Sequence, residues 1–240
     1  MRPGLGWDGL AKLNEFVAKG GVLLTATDTS SFAIGSGFEN GVTLNQAQKL
    51  NIVGSVLSAR LLDGASPIAY GYSDKVSVYC DNGPIFSLTA IAGERRRRRL
   101  GSHSKERPTG RGTIDDPDFA VGRPATEVPE EKSTEAWEIP EVTDEQKMNN
   151  PRVIPDAELP RVILRYADSK DLLVSGLLEG GDEIAQHPAV VDVPSGAGHV
   201  ILFSINPVYR GETRGTYSLV LNTIMNWDSL NAGRKAAEKK

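Results

Sequence analysis

One cysteine and three histidines among 240 residues leave little room for metal or thiol chemistry. A single Cys80 excludes an intrachain disulfide, and no CxxC pair or Cys/His cluster has the spacing of a structural zinc site. HExxH is missing too, so a catalytic zinc centre of that spacing has no ligand set. No apolar run approaches the roughly 18 residues that would suggest a membrane span. Arg2 is followed by no apolar stretch, so the opening residues are not a signal peptide. A net charge of −4 and a pI near 5.5 give no overall electropositive footprint for nucleic acid or an anionic membrane. The charge is too unevenly spread for two cores, and one is expected.

What is present begins with a helix. Trp7, Leu10, Leu13, Phe16 and Val17 recur at helical spacing, Asp8 is an N-cap or first-turn acid, and Gly20-Gly21 ends the run. Val22–Thr27 reads as a buried strand, followed by a turn and a short helix near Phe32–Gly35. Brief extended pieces are expected at Val56–Leu62, Ile68–Tyr70, Lys75–Tyr79 and Ile85–Ala90, separated by turn dipeptides such as Asn82-Gly83. Strands follow at Val162–Tyr166, Val190–Val193 and His199–Ile205, then a helix from Thr216 to Trp227. Strand and helix alternate, which predicts an α/β domain with an open, mostly parallel sheet. No strand precedes the first helix, so the sequence reads as the rear part of a larger protein, incomplete at its N-terminus.

Composition changes between residues 93 and 156. Aliphatic side chains are scarce, and such a stretch buries too little apolar surface to offset its ordering entropy. A disordered polar insertion is expected there, with Arg95–Arg99 as a solvated charge run. The expected domain is therefore discontinuous, 4–91 with 161–231, and a polar tail occupies 232–240.

Two segments lie where open sheets bind ligands, outside the carboxyl ends of the strands. Thr27-Asp28-Thr29-Ser30-Ser31 forms the turn after the first strand. A sharp strand-to-helix turn exposes a side chain beside helix N–H groups, the setting of a nucleophile. Without cysteine or a G-x-S-x-G frame, capping of the helix by Asp28, Thr29 or Ser30 is expected rather than attack by Ser30 or Ser31. Asn206–Arg214 joins the last strand to the last helix. Arg210, Glu212 and Arg214 there are expected to pair into a network that fixes the loop, the alternative being a ligand contact. Cys80, in KVSVYC, reads as a small buried hydrophobe. His187 falls in a loop, His199 opens a strand, and His103 sits in the insertion.

Taken in order, GLGWDGLAKLNEFVAKGGVLL, GSVLSARLLDGASPIAYGY and DLLVSGLLEGGDEIAQHPAVVDVPSGAGHVILFSINPVYRGETRGTY resemble a known family. It is the carboxy-terminal domain of a bacterial branch of carboxypeptidase A-like zinc peptidases. That domain looks like a class I glutamine amidotransferase, of flavodoxin-like fold, stripped of its catalytic residues. The resemblance spans residues 4–91 and 161–227. It implies a non-catalytic accessory domain that packs against a peptidase domain of the same or a neighbouring polypeptide, or shapes access to it. The sheet edge left by a lost first strand is the face expected to be covered. Zinc, and an extracytoplasmic location, are implied only for the whole peptidase. No catalytic residue and no metal ligand carries over, because the zinc-binding HxxE and its partners belong to the peptidase domain. Amidotransferases end with His-x-Glu after the final strand, and this sequence does not. The rival expectation is a small-ligand or hydrolase site at the carboxyl edge, bounded by Thr27–Ser31 and Asn206–Arg214.

Overall fold

The computed structural model describes residues 5–92 and 135–234. In chain order they form α1 (Gly6–Ala18), β1 (Val22–Ala26), α2 (Asp28–Gly35), β2 (Val42–Asn45), β3 (Asn51–Ile52), β4 (Ser55–Leu61), β5 (Lys75–Cys80) and β6 (Ile85–Leu88). The second half adds α3 (Asp144–Asn149), β7 (Arg161–Tyr166), α4 (Ser169–Leu172), β8 (Leu173–Ser175), β9 (Leu178–Glu179), β10 (Pro188–Ser195), β11 (Gly198–Phe203) and α5 (Arg214–Met225). Ile68–Tyr70, expected to be extended, lies largely within a 3-10 turn at Pro67–Ala69.

Seven strands make one sheet in the order β1-β11-β10-β7-β4-β5, with β8 also on β4. The class is α/β, but the sheet is mixed. Among the described residues only β1 with β11 is a parallel pair; the remaining pairings of the sheet are antiparallel. The apolar runs that suggested parallel strands report burial on both faces, which does not fix direction. Successive residues of β11 divide between two cores. Ile201 and Phe203 join one with Val190, Ile163 and Leu219. Val200 and Leu202 join the other with Val17, Phe86 and Val191. That division is the two-residue period of a strand.

β10 and β11 form a hairpin whose last pair, Ser195 with Gly198, leaves only Gly196-Ala197 in the turn. A two-residue loop with glycine at positive φ is a strong hairpin signal, and it was available in the sequence as SGAG. The sheet also curls. The amide of Asn206, beyond β11, donates to the carbonyl of Tyr79 in β5 at 3.1 Å, although the two strands are far apart in the sheet order.

Of the stretch 93–156 assigned to a disordered insertion, 93–134 lies outside the described residues, including Arg95–Arg99 and His103. Residues 135–156 are packed instead. The Trp137 amide donates to Gln186 at 3.2 Å, and its ring stacks on His187 with centroids 5.4 Å apart. Ile139 packs on the second core. Thr143 and Gln146 form a capping box at the start of α3. The Ile154 amide then donates to Ala90 at 2.8 Å, and its side chain is buried. A few well-spaced apolar anchors dock this polar segment, and composition averages them away.

The start of the expected tail is likewise tied down. Arg161 bonds Asp63 at 2.6 Å and the Ala232 carbonyl at 2.8 Å. Arg234 bonds the Leu159 carbonyl at 2.7 Å and the Asp192 carboxylate at 3.1 Å. Residues 235–240 lie outside the described range.

The hairpin meets the end of α1 backbone to backbone. A Cβ on Gly198 would run into the carbonyl oxygens of Val17 and Gly21, whereas one on Gly35 would meet nothing. Gly198→Ala should therefore cost about 1–3 kcal/mol in urea unfolding through overpacking. Gly35→Ala should be neutral or stabilise by up to about 1 kcal/mol, because alanine is the better helix former. Equal effects at the two positions would contradict the close packing of α1 on the hairpin.

Candidate functional site

Because β1 and β11 are parallel neighbours, the turn after β1 and the loop after β11 emerge side by side at one edge of the sheet. The turn is a sharp elbow. Its residue Thr27 has φ 50° and ψ −122°, a conformation costly for a β-branched side chain. Thr27 is held there by its own amide, which donates to the Phe203 carbonyl at 2.8 Å. Among the described residues its hydroxyl has no hydrogen-bond partner.

The hydroxyls around the elbow are occupied by the backbone. Thr29 Oγ1 accepts from the Ala26 amide at 2.8 Å and donates to the Ala26 carbonyl at 2.7 Å. Ser30 is fully buried and donates to the Phe203 carbonyl at 3.0 Å, while Thr25 Oγ1 beside it donates to Ile201. Ser30 is thus a fastener between β1 and β11. Ser31 is half-buried, and Asp28 is exposed in the first turn of α2, where a negative charge complements the helix dipole. The expected capping of α2 by a side chain is not what forms: Thr29 turns back onto the strand.

The loop beyond β11 is held differently from the expected Arg–Glu network. Arg210, Glu212 and Arg214 are exposed, and no ion pair among them forms. Thr213 and Thr216 both donate to the Pro207 carbonyl, at 3.0 and 2.7 Å, and the Tyr209 amide donates to Thr213 Oγ1 at 2.9 Å. Tyr209 stacks on Tyr79 at 4.3 Å, with the Arg210 guanidinium 5.0 Å from the Tyr209 ring centre. The Tyr209 hydroxyl bonded to Tyr79, with burial and the charges of Asp81 and Glu212, pushes the Tyr79 phenol up to about 12. Sequence reasoning had passed over Tyr79, Tyr209, Thr213 and Thr216. A loop carbonyl shared by two threonines leaves no local sequence mark.

Next to the elbow lies a buried chain of hydroxyls. Ser204 donates to the Ala189 carbonyl at 3.2 Å, Tyr166 lies 2.8 Å from Ser204, and Cys80 lies 3.4 Å from Tyr166. Burial pushes the Cys80 thiol up to about 11, so it is a packed thiol rather than a thiolate.

A histidine–carboxylate pair does exist, but at the wrong end. His199 Nδ1 is 2.6 Å from Asp192 Oδ1, both buried, and Arg234 holds the other carboxylate oxygen. His199 is near the start of β11 and Phe203 at its end, a separation of roughly 13 Å along a strand. The dyad therefore cannot serve the Thr27 hydroxyl, which a nucleophile–base pair requires within hydrogen-bond reach. His187 Nδ1 is 2.8 Å from the Phe86 carbonyl. Among the described residues no group of His, Cys, Asp and Glu is gathered as a metal site would need, and no helix is long and apolar enough to cross a membrane.

One carboxyl group among the described residues is strongly perturbed. Glu39 is buried beyond α2 with the Val42 amide donating to it at 3.1 Å, and burial pushes its carboxyl up to about 8.

No protein-family model matches the sequence, and no curated protein does. Among solved structures, Cytoplasmic Protein STM3548 from Salmonella typhimurium aligns over 90% of this chain and 59% of its own, at 12% identity and a TM-score of 0.40. Cytoplasmic Protein STM1381 from Salmonella typhimurium LT2 aligns over 90% and 60%, at 12% identity and 0.39. The chain thus spans about three-fifths of the length of each.

Two measurements probe the site. Thr27→Gly should raise the unfolding free energy by about 1 kcal/mol, the strain relieved exceeding glycine's entropy cost. Thr27→Ala keeps the strained backbone and should give no such gain. Glu39 is protonated more readily folded than unfolded, so its contribution is fully present below about pH 4.5 and is lost as pH rises toward about 8. Relative to Glu39→Gln, the native protein should lose ~1.4 kcal/mol per pH unit across that window. A pH-independent difference between the two would show that Glu39 titrates normally.

Proposed function

We propose that this chain is a non-catalytic accessory domain, related to the class I glutamine amidotransferase-like domains that accompany carboxypeptidase A-like zinc peptidases. Its partner is a peptidase domain on the same or a neighbouring polypeptide. Any zinc belongs to that domain.

The observation that carries this reading is the elbow. A strand–turn–helix junction with a strained residue is where amidotransferase-like and hydrolase folds present a nucleophile. Here the position holds Thr27, no described base reaches it, and Ser30 bonds the backbone of β11. The neighbouring loop is filled by its own hydrogen bonds and by the Tyr79–Tyr209 stack. A framework of this form without reacting groups suits a domain that acts by its surface.

The alternative is a small-ligand or hydrolase site at the same edge, favoured by the strain at Thr27, since strain often marks function. Both readings face one assay. The purified chain should release no C-terminal residue from peptides, with or without added zinc, and should hydrolyse neither glutamine nor simple esters. Zinc-dependent peptidase activity abolished by a chelator overturns the accessory reading. Turnover lost specifically in Thr27→Ala establishes the alternative.

A further inference from the structure

β1 lies at the end of the sheet order and pairs, among the described residues, with β11 alone. In a parallel pair alternate residues turn both backbone groups to the neighbour. The Gly21 carbonyl and Thr27 amide bond β11, so Leu23 and Thr25 face it as well. Val22, Leu24 and Ala26 therefore point their N–H and C=O outward. Ala26 is already closed by the Thr29 hydroxyl, which takes its amide and serves its carbonyl. Val22 and Leu24 stay open. This edge carries neither proline nor charge, the usual protections of an edge strand.

Flanking the open edge is an apolar groove of about 530 Å³, lined by Phe16, Gly21, Val22, Leu24, Ile224 and Trp227 among others. Phe16, Ile224 and Trp227 are more than half exposed, as is Leu221 on α5. With the partly exposed side chains of β1, their exposed fractions amount to on the order of 600 Å² per copy, below the roughly 800 Å² per partner of a standard complex but above the roughly 500 Å² per partner that a specific interface needs.

We infer that the occupant of this edge is a second copy of the chain, joined by antiparallel pairing of β1 with β1. The Thr29 clasp selects the register. With Ala26 closed, a two-fold axis through Leu23 matches Val22 of each copy to Leu24 of the other, making four backbone bonds and joining the two sheets. A two-fold axis normal to the sheet keeps each face on its own side. The two α5 helices then lie along the same face, and Ile224 and Trp227 meet their equivalents. This pairing does not depend on the accessory reading.

Mass measured by light scattering at high micromolar concentration should be twice 25.8 kDa. Ile224→Lys with Trp227→Glu changes only exposed positions and should weaken the dimer roughly a hundred-fold or more, with unfolding as cooperative as before. Amide exchange at Val22 and Leu24 should slow with rising concentration in the native chain and not in the variant. A 25.8 kDa monomer throughout overturns the pairing and leaves the groove to a different chain, such as a peptidase domain. A dimer that survives both substitutions, with Val22 and Leu24 exchanging freely, places the interface elsewhere and overturns it too.

Discussion

Strand β11 is buried on both faces and paired on both sides, and most of the molecule is arranged around it. Its parallel contact with β1 positions the elbow. Its hairpin with β10 brings the chain back against the end of α1. Its final carbonyl, on Phe203, receives both the Thr27 amide and the Ser30 hydroxyl. One carbonyl with two donors thus fixes the strained residue and the first turn of α2. Beyond it, Ser204 joins the buried Tyr166–Cys80 chain, and Asn206 reaches Tyr79. The carboxyl edge is closed by the strand that defines it.

That closure separates geometry from chemistry at the elbow. A strained backbone needs support, and here the support comes from the Phe203 carbonyl and from Thr29 clasping Ala26. Among the described residues, the reacting groups that usually justify such strain are not assembled with it. The His199–Asp192 pair is buried at the far end of β11, where Arg234 also engages Asp192. There the dyad and the arginine knit the segment after α5 to the sheet. A histidine bonded to a carboxylate invites a catalytic reading, and its place along the strand puts it out of reach of Thr27.

The sequence made some of this legible. HVILF and VLLTA had to be strands, and LNEFVA with Gly20-Gly21 had to end a helix before β1. Strand direction was not legible, because two-sided burial gives the same apolar run in parallel and antiparallel settings. Only the two-residue turn at Gly196-Ala197 held that information. Trp137, Ile139 and Ile154 were lost within a polar stretch whose average composition forecasts disorder. At the elbow, a threonine at positive φ runs against its own propensity, so no local rule could have identified Thr27. Ser30 was marked by residue type alone, and burial reverses its meaning.

The two edges of the sheet differ for a physical reason. β5 alternates exposed and buried residues, with Lys75 and Ser77 facing solvent, and its far end is engaged by Asn206 and Tyr209. That edge is polar and partly covered. β1 has partly buried apolar side chains along its length and helices on both faces, α1 toward one core and α5 toward the other. Helices that flank an edge this way bury most of their apolar surface only if the sheet continues past it. Val17 and Leu219 are fully buried, while Phe16 and Ile224, which line the groove beside β1, are more than half exposed. The gradient of burial across each helix therefore points outward from β1. A neighbouring strand with its own flanking apolar cover, as in the β1–β1 pairing inferred above, would bury that rim, which a small ligand would not.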